Sequence, residues 1–184
     1  NHVESVEILR GPQGTLYGKN TTACAVNINT NKPSRDAPTN GYGTVGVGSK
    51  DERIVSGALG GVLVDERLAA RVALYSEERD GFADNLTDGH TYGDVNKKAV
   101  RVQFLAQLNP DLEALLKIHA RQHNGDGSNG SLPVGRYYNV GYQRPNGRDI
   151  ELNVNEDAKL DHDGTSLTFN WNLGYYTLTS ISAY

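Results

Sequence analysis

Val3-Glu-Ser-Val-Glu-Ile-Leu-Arg10-Gly-Pro-Gln-Gly-Thr-Leu-Tyr-Gly-Lys-Asn20, closed by Val26-Asn-Ile-Asn-Thr-Asn-Lys-Pro33, is the stretch whose reading decides the fold. Val3, Val6, Ile8 and Leu9 form a short apolar run that suits a strand, although its alternation is imperfect. Arg10-Gly11-Pro12-Gln13-Gly14 stops that run, because Pro12 fixes φ and removes a donor while Gly11 and Gly14 tolerate positive φ. Leu16, Tyr17 and Gly18 predict a second compact turn. Ala25-Val-Asn-Ile-Asn-Thr30 then alternates apolar and polar residues, as a strand with one covered face does, and Pro33 ends it.

Working outward, the residues after 38 repeat one theme. Segments 41–49, 53–64, 67–79, 97–108, 112–123, 165–173 and 175–184 read as strands of roughly ten residues, the length a tilted membrane strand needs. In 67–79, Leu68, Ala70, Val72 and Leu74 oppose Arg71, Tyr75, Glu77 and Arg79. In 97–108, Val100, Val102, Phe104, Ala106 and Leu108 oppose Lys97, Arg101, Gln103 and Gln107. In 165–173, Leu167, Phe169, Trp171 and Leu173 oppose Ser166, Thr168, Asn170 and Asn172. Segment 112–123 is rich in helix formers and follows a potential cap at Asp111, yet the strands on both sides favour a strand. That assignment sends Leu112, Ala114, Leu116, Ile118 and Ala120 one way and Glu113, Lys117, His119, Arg121 and His123 the other.

The connections alternate in length. Asp65-Glu66, Asn109-Pro-Asp111 and the turn near Gly174 are short, whereas 80–96 and 124–164 are long, polar and rich in Gly, Asn and Asp. Short turns at one end and long loops at the other are the habit of outer-membrane barrels. The expected fold is all-β: part of a transmembrane antiparallel β-barrel with about seven strands.

Composition sets wide bounds. The 184 residues include 21 Gly and 10 Tyr, carry a net charge of −4, and contain a single Cys, which excludes an internal disulfide. So mild a charge leaves no electrostatic footprint for nucleic acid. The mean hydropathy of −0.55 is that of a polar chain and is compatible with a barrel whose lumen and loops are polar. No run of eighteen apolar residues offers a helical span.

The opening string closely resembles the C-terminal end of the plug domain of TonB-dependent outer-membrane receptors, on its Arg10-Gly-Pro12 turn, Tyr17-Gly18 and Asn27-Ile28. It departs from the family at Cys24, where a glycine is usual; a packed, unreactive thiol is expected there. The resemblance implies a plug end over 1–38 and the first barrel strands over 39–184, cut from a larger receptor of the Gram-negative outer membrane. It further implies active import of a scarce solute, most often a ferric siderophore, powered by TonB through a plug segment outside these residues. Outer-membrane lipid is then the surrounding solvent. Gly11, Pro12, Gly14, Tyr17 and Gly18 become plug turns, and Arg10 resembles the plug arginines that latch onto glutamates of the barrel wall. Tyr137, Tyr138, Tyr142 and Arg144, in the long loop with Asn139 and Asn146, are the candidate ligand contacts, since aromatics and Arg suit anionic chelates.

Other motifs carry less. Gly41-Tyr-Gly-Thr-Val-Gly46 has the dinucleotide spacing but continues in period two, with no helix to receive a pyrophosphate. Gly14 to Lys19 misses the phosphate-loop spacing, and Asn20 stands where Ser or Thr is needed. His119 and His123 share a face without the Glu a metalloprotease helix requires, which favours a lumen-lining role. Asp126-Gly-Ser-Asn-Gly130 lacks calcium-loop spacing. Neither a catalytic constellation nor a cofactor or metal site is expected. The alternative class is a soluble β-rich module recognising glycans; a passive porin would need no plug-like closure.

Overall fold

A computed structural model describes residues 3–19, 21–126, 149–150 and 157–184. Two sheets carry most of them. The first is a hairpin of β1 (Val3–Arg10) and β2 (Cys24–Thr30), separated by a single helical turn, α1 (Gly14–Tyr17). The second is a seven-stranded antiparallel sheet built from β3 (Asn40–Val47), β4 (Arg53–Val64), β5 (Leu68–Arg79), β8 (Val95–Asn109), β9 (Leu112–Asp126), β10 (Asp157–Asn172) and β11 (Thr177–Ala183). Between β5 and β8 lies a small ribbon, β6 (Ala83–Asp84) with β7 (Thr91–Tyr92).

The seven large strands follow one another as up-and-down neighbours, which is the topology of a barrel wall. Register fixes two faces. One row runs Asn40, Gly60, Arg71, Gln103, Lys117 and Ser166 across β3 to β10, and the next row starts Tyr42, Ala58, Ala73, Arg101, His119 and Gly164. This face is polar. The opposite face presents Val45, Leu59, Val72, Val102, Ile118 and Leu167. It leaves Val47 86% and Leu74 56% exposed. Exposed apolar side chains in every strand are what a lipid-facing surface requires; in water they would be a large aggregation-prone patch. The apolar stretch runs from Val100 to Leu108 on β8 and from Leu112 to Ala120 on β9, matching the roughly 9–11 residues of a tilted membrane strand. Beyond it the same face becomes polar, with Ser76, Glu78, Lys98, Asn96, Gln122 and Asn124. No helix of the described residues is long and apolar enough to cross a membrane, which says nothing about strands.

The helix-like segment 112–123 is β-strand throughout, because its outward apolar row and inward polar row fit the neighbouring ladders. Tertiary pairing overrides helix propensity here. Three boundaries differ from expectation. β9 continues to Asp126 and β10 starts at Asp157, so the loop expected over 124–164 is shorter at both ends. The 80–96 loop contains the β6–β7 ribbon and the first residues of β8. The Leu16–Gly18 turn is a turn of helix closed by the Gly18 amide on the Gly14 carbonyl at 3.2 Å. Positive φ falls on Gly11 (86°) and Gly18 (89°) but not on Gly14, which opens that helical turn.

The thiol of Cys24 is exposed rather than packed. It faces Arg10 at the end of the β1–β2 ladder, where nothing else among the described residues covers it. On one side of this hairpin Glu7 accepts hydrogen bonds from Asn27 and Asn29 at 3.0 Å each, and Asn29 also donates to Ser5 Oγ at 3.0 Å. On the other, Val6, Ile8, Val26 and Ile28 are exposed.

Candidate functional site

Three places on the polar face of the sheet carry chemistry. Nearest the long loops, the lumen rows are dense in charge. Tyr75 donates to Glu77 at 2.6 Å and Lys97 pairs with the same carboxylate at 3.1 Å. Arg79 donates to the Gly93 carbonyl at 3.0 Å and lies 5.6 Å from the Phe82 ring centroid. Arg101 and Arg121 belong to adjacent rows of this wall, and among the described residues neither has an ion-pair partner. His119 stacks on His162 with ring centroids 5.1 Å apart. That stacking depends on Gly164, whose Cβ would sit 2.8 Å from His119 Cε1. Among the described residues no group of three or more His, Cys, Asp or Glu could hold a metal.

The second place is the loop end. Tyr92 is 1% exposed and packs with Ala83 and Ile150 in a small core. Asn85 bridges to Ile150, and Leu86 N–H donates to the Ile150 carbonyl at 2.9 Å. Ile150 N–H in turn donates to Asp84 at 2.9 Å. The 80–94 loop is thereby stitched to the residues that precede β10. His90 Nε2 bridges Asp126 at 3.2 Å, while Asp126 N–H donates to Asp94 Oδ1 at 2.6 Å. Burial and the neighbouring Asp94 carboxylate push the Asp126 carboxyl above its usual range, and His90 only partly offsets them. The expected contacts Tyr137, Tyr138, Tyr142 and Arg144 lie outside the described residues.

The third place is the seam between hairpin and wall. Arg35, in the connection from β2 to β3, donates to Glu113 Oε2 at 3.0 Å and to the Glu66 carbonyl at 3.1 Å. It thus spans the β4–β5 turn and the foot of β9. Sequence reasoning missed this pair, because 78 residues separate its members and neither stands in a recognisable motif. Arg10 lies exposed at the end of β1, with its carbonyl accepting from Gln13 Nε2 at 3.3 Å. Gly11, Pro12, Gly14, Tyr17 and Gly18 form the connection beside it.

No family model matches the chain. The pesticin receptor of Yersinia pestis is 41% identical over 87 residues, covering 47% of this chain and 13% of that protein. The metal-pseudopaline receptor of Pseudomonas aeruginosa is 31% identical over 146 residues, covering 74% of this chain and 19% of that protein. The crystal structure of the ferric yersiniabactin uptake receptor of Yersinia pestis superposes with a TM-score of 0.80 at 24% identity, over 98% of this chain and 28% of that one. The chain belongs to the TonB-dependent outer-membrane receptors.

It spans between 13% and 19% of the length of these curated relatives. As a receptor wall, the sheet places its apolar face against outer-membrane lipid and its polar face in the lumen. The short turns at 65–67 and 110–111 and the start of β3 share one rim. The 80–94 connection, the end of β9 at Asp126 and the start of β10 at Asp157 share the other.

Proposed function

We propose that residues 1–38 are the end of a plug and residues 39–184 the leading wall of an energy-coupled importer for an anionic ferric siderophore. One observation carries the reading: Arg101 and Arg121 stand in adjacent lumen rows without a carboxylate partner among the described residues, above a seam where the hairpin meets the wall. Unpaired guanidinium groups facing a polar cavity suit an anionic chelate. The names of the similar proteins, a metal-pseudopaline receptor and a ferric yersiniabactin uptake receptor, agree with a metal chelate as cargo. Tyr137, Tyr138, Tyr142 and Arg144 are assigned to first capture, and Arg10 to holding the plug against glutamates of the wall. TonB, acting on the plug ahead of these residues, supplies the work. Transport is non-covalent, so no enzymatic step is involved. The soluble glycan-binding alternative does not account for the exposed apolar face of every wall strand.

The test is growth. A strain lacking its other iron receptors and expressing the full receptor is offered iron on single chelators of carboxylate, catecholate and hydroxamate type. Growth on one class, lost on deletion of the receptor or of TonB, is the expected result. Growth on none, with the receptor present at the surface, overturns the siderophore reading.

A further inference from the structure

Halfway along the wall, one lumen row holds hydrogen-bond donors with no acceptor among the described residues. Arg71 is 8% exposed and Gln103, directly across on β8, is 2% exposed. Arg71 Nε and Gln103 Nε2 are both buried and have no partner among the described residues. A buried donor left unmade costs about 1–3 kcal/mol, and more when it is charged. Two such groups in one row therefore call for an acceptor. Arg71 is deliberately seated. It lies across Gly60, whose Cβ would stand 3.2 Å from Nη1, and Nη1 donates to Asn40 Oδ1 at 3.2 Å. Lys117 continues the row on β9. Arg71, Glu4 and Lys32 line a cleft of about 460 Å³ between hairpin and wall, floored by Gly41, Gly60 and Gly61.

We propose that this cleft is a transit station for the cargo: an anion site, built around Arg71, that takes the carboxylate-type oxygens of the chelate as it passes the plug. The inference rests on the importer reading above. A fixed clasp between plug and wall would be closed in this arrangement. Instead Glu4 lines the same cleft without forming an ion pair to Arg71, and the glycine floor leaves the space open. The cations also continue along the lumen from Arg121 and Arg101 to Lys117 and Arg71, and then to Arg35 at the inner rim. A descending series of donors gives an anion several weak holds rather than one deep well.

The test uses the full receptor in outer membranes and radio-iron on the chelator that supports growth. Arg71→Gln, Arg71→Lys and Gln103→Leu are compared with wild type for surface binding without energy, for energised uptake, and for sensitivity to vancomycin, which enters only through a leaking barrel. Surface abundance and heat-modifiable migration establish that each variant is folded. The expected result for Arg71→Gln is binding unchanged within about twofold, uptake slowed about tenfold and no gain in vancomycin sensitivity, the size expected from one charged hydrogen bond. Arg71→Lys and Gln103→Leu fall between. Uptake at the wild-type rate overturns the proposal. So does a loss of binding equal to the loss of uptake, which would place Arg71 in the capture site. Vancomycin sensitivity with uptake retained also overturns it, and would make Arg71 a plug clasp. Absence of uptake by wild type would instead count against the importer reading.

Discussion

Two surfaces of this molecule expose valine, isoleucine and leucine in the same alternating pattern, and they mean different things. On the seven-stranded wall the exposed apolar face crosses every strand from Val45 to Leu178 and is bounded by polar residues at its outer end. On the β1–β2 hairpin it is four side chains, Val6, Ile8, Val26 and Ile28. The first is wide enough to be solvated by lipid. The second is too small for that, and a two-stranded hairpin is marginal by itself. Its polar side is self-contained, with Glu7 held by two asparagines, so its apolar side is the part that needs the rest of a protein. Alternation reports that one face is apolar; the extent of that face reports which solvent it meets.

The largest effect that would break this contrast is a charge on the lipid face. Val102→Arg should cost about 2–4 kcal/mol in barrel stability near the midplane, read from urea unfolding in lipid vesicles. The same residue placed at Thr44, on the lumen face of β3, should change stability by about 0.5 kcal/mol or less. Similar costs at both positions would mean that the faces have been assigned wrongly. Next in size is Gly164→Val. Its side chain meets His119 Cε1 at 2.8 Å and the Tyr184 carbonyl at 3.0 Å, and such overpacking costs about 1–3 kcal/mol. His119→Ala should recover part of this in a double-mutant cycle, since the ring clash disappears and the carbonyl clash remains.

A smaller effect sharpens the hairpin side of the comparison. The Arg35–Glu113 pair is partly exposed, at 20% and 30% of its side chains, so Glu113→Gln should lower stability by only about 0.2–1 kcal/mol. Coupling with Arg35→Ala in a cycle would show whether the pair, rather than the Glu66 carbonyl contact, holds the connection. The smallest effect is at the loop end. Burial and the Asp94 carboxylate raise the Asp126 carboxyl above its ordinary value, so the folded state binds its proton more tightly than the unfolded chain does. This group favours folding below that value and loses the advantage as pH rises towards its raised folded value. Asp126→Asn should flatten the dependence in that acidic window, measured by hydrogen exchange of the Asn85 and Asp126 amides.

The wall was legible in the sequence because segments 67–79, 97–108 and 165–173 alternate for long enough to outvote local propensity. The glycine-diluted 41–49 and 53–64 and the mixed-phase 175–184 were read with them. Even Leu112–His123, composed for a helix, yields to two neighbouring ladders. The hairpin was legible through its turn residues, although positive φ at Gly18 rather than Gly14 follows from a helical turn that so short a string does not announce. The loop-end platform was not legible. Its strands are two residues long, and its core joins Tyr92 to Ile150 across a span with no shared periodicity. The seam was not legible: that Arg35 meets Glu113 depends on register and on where the connection crosses the wall.

The hairpin's geometry has a mechanical consequence. Val3 sits directly opposite Thr30, so the two ends of the hairpin, the second of which leads on to the wall, lie side by side. Tension between them opens the ladder one pair at a time, beginning at the irregular step between Val3 and Ser5 and travelling towards Arg10 and Cys24. A ladder loaded lengthwise would have to break all its bonds together. This one opens pair by pair, as a zipper does.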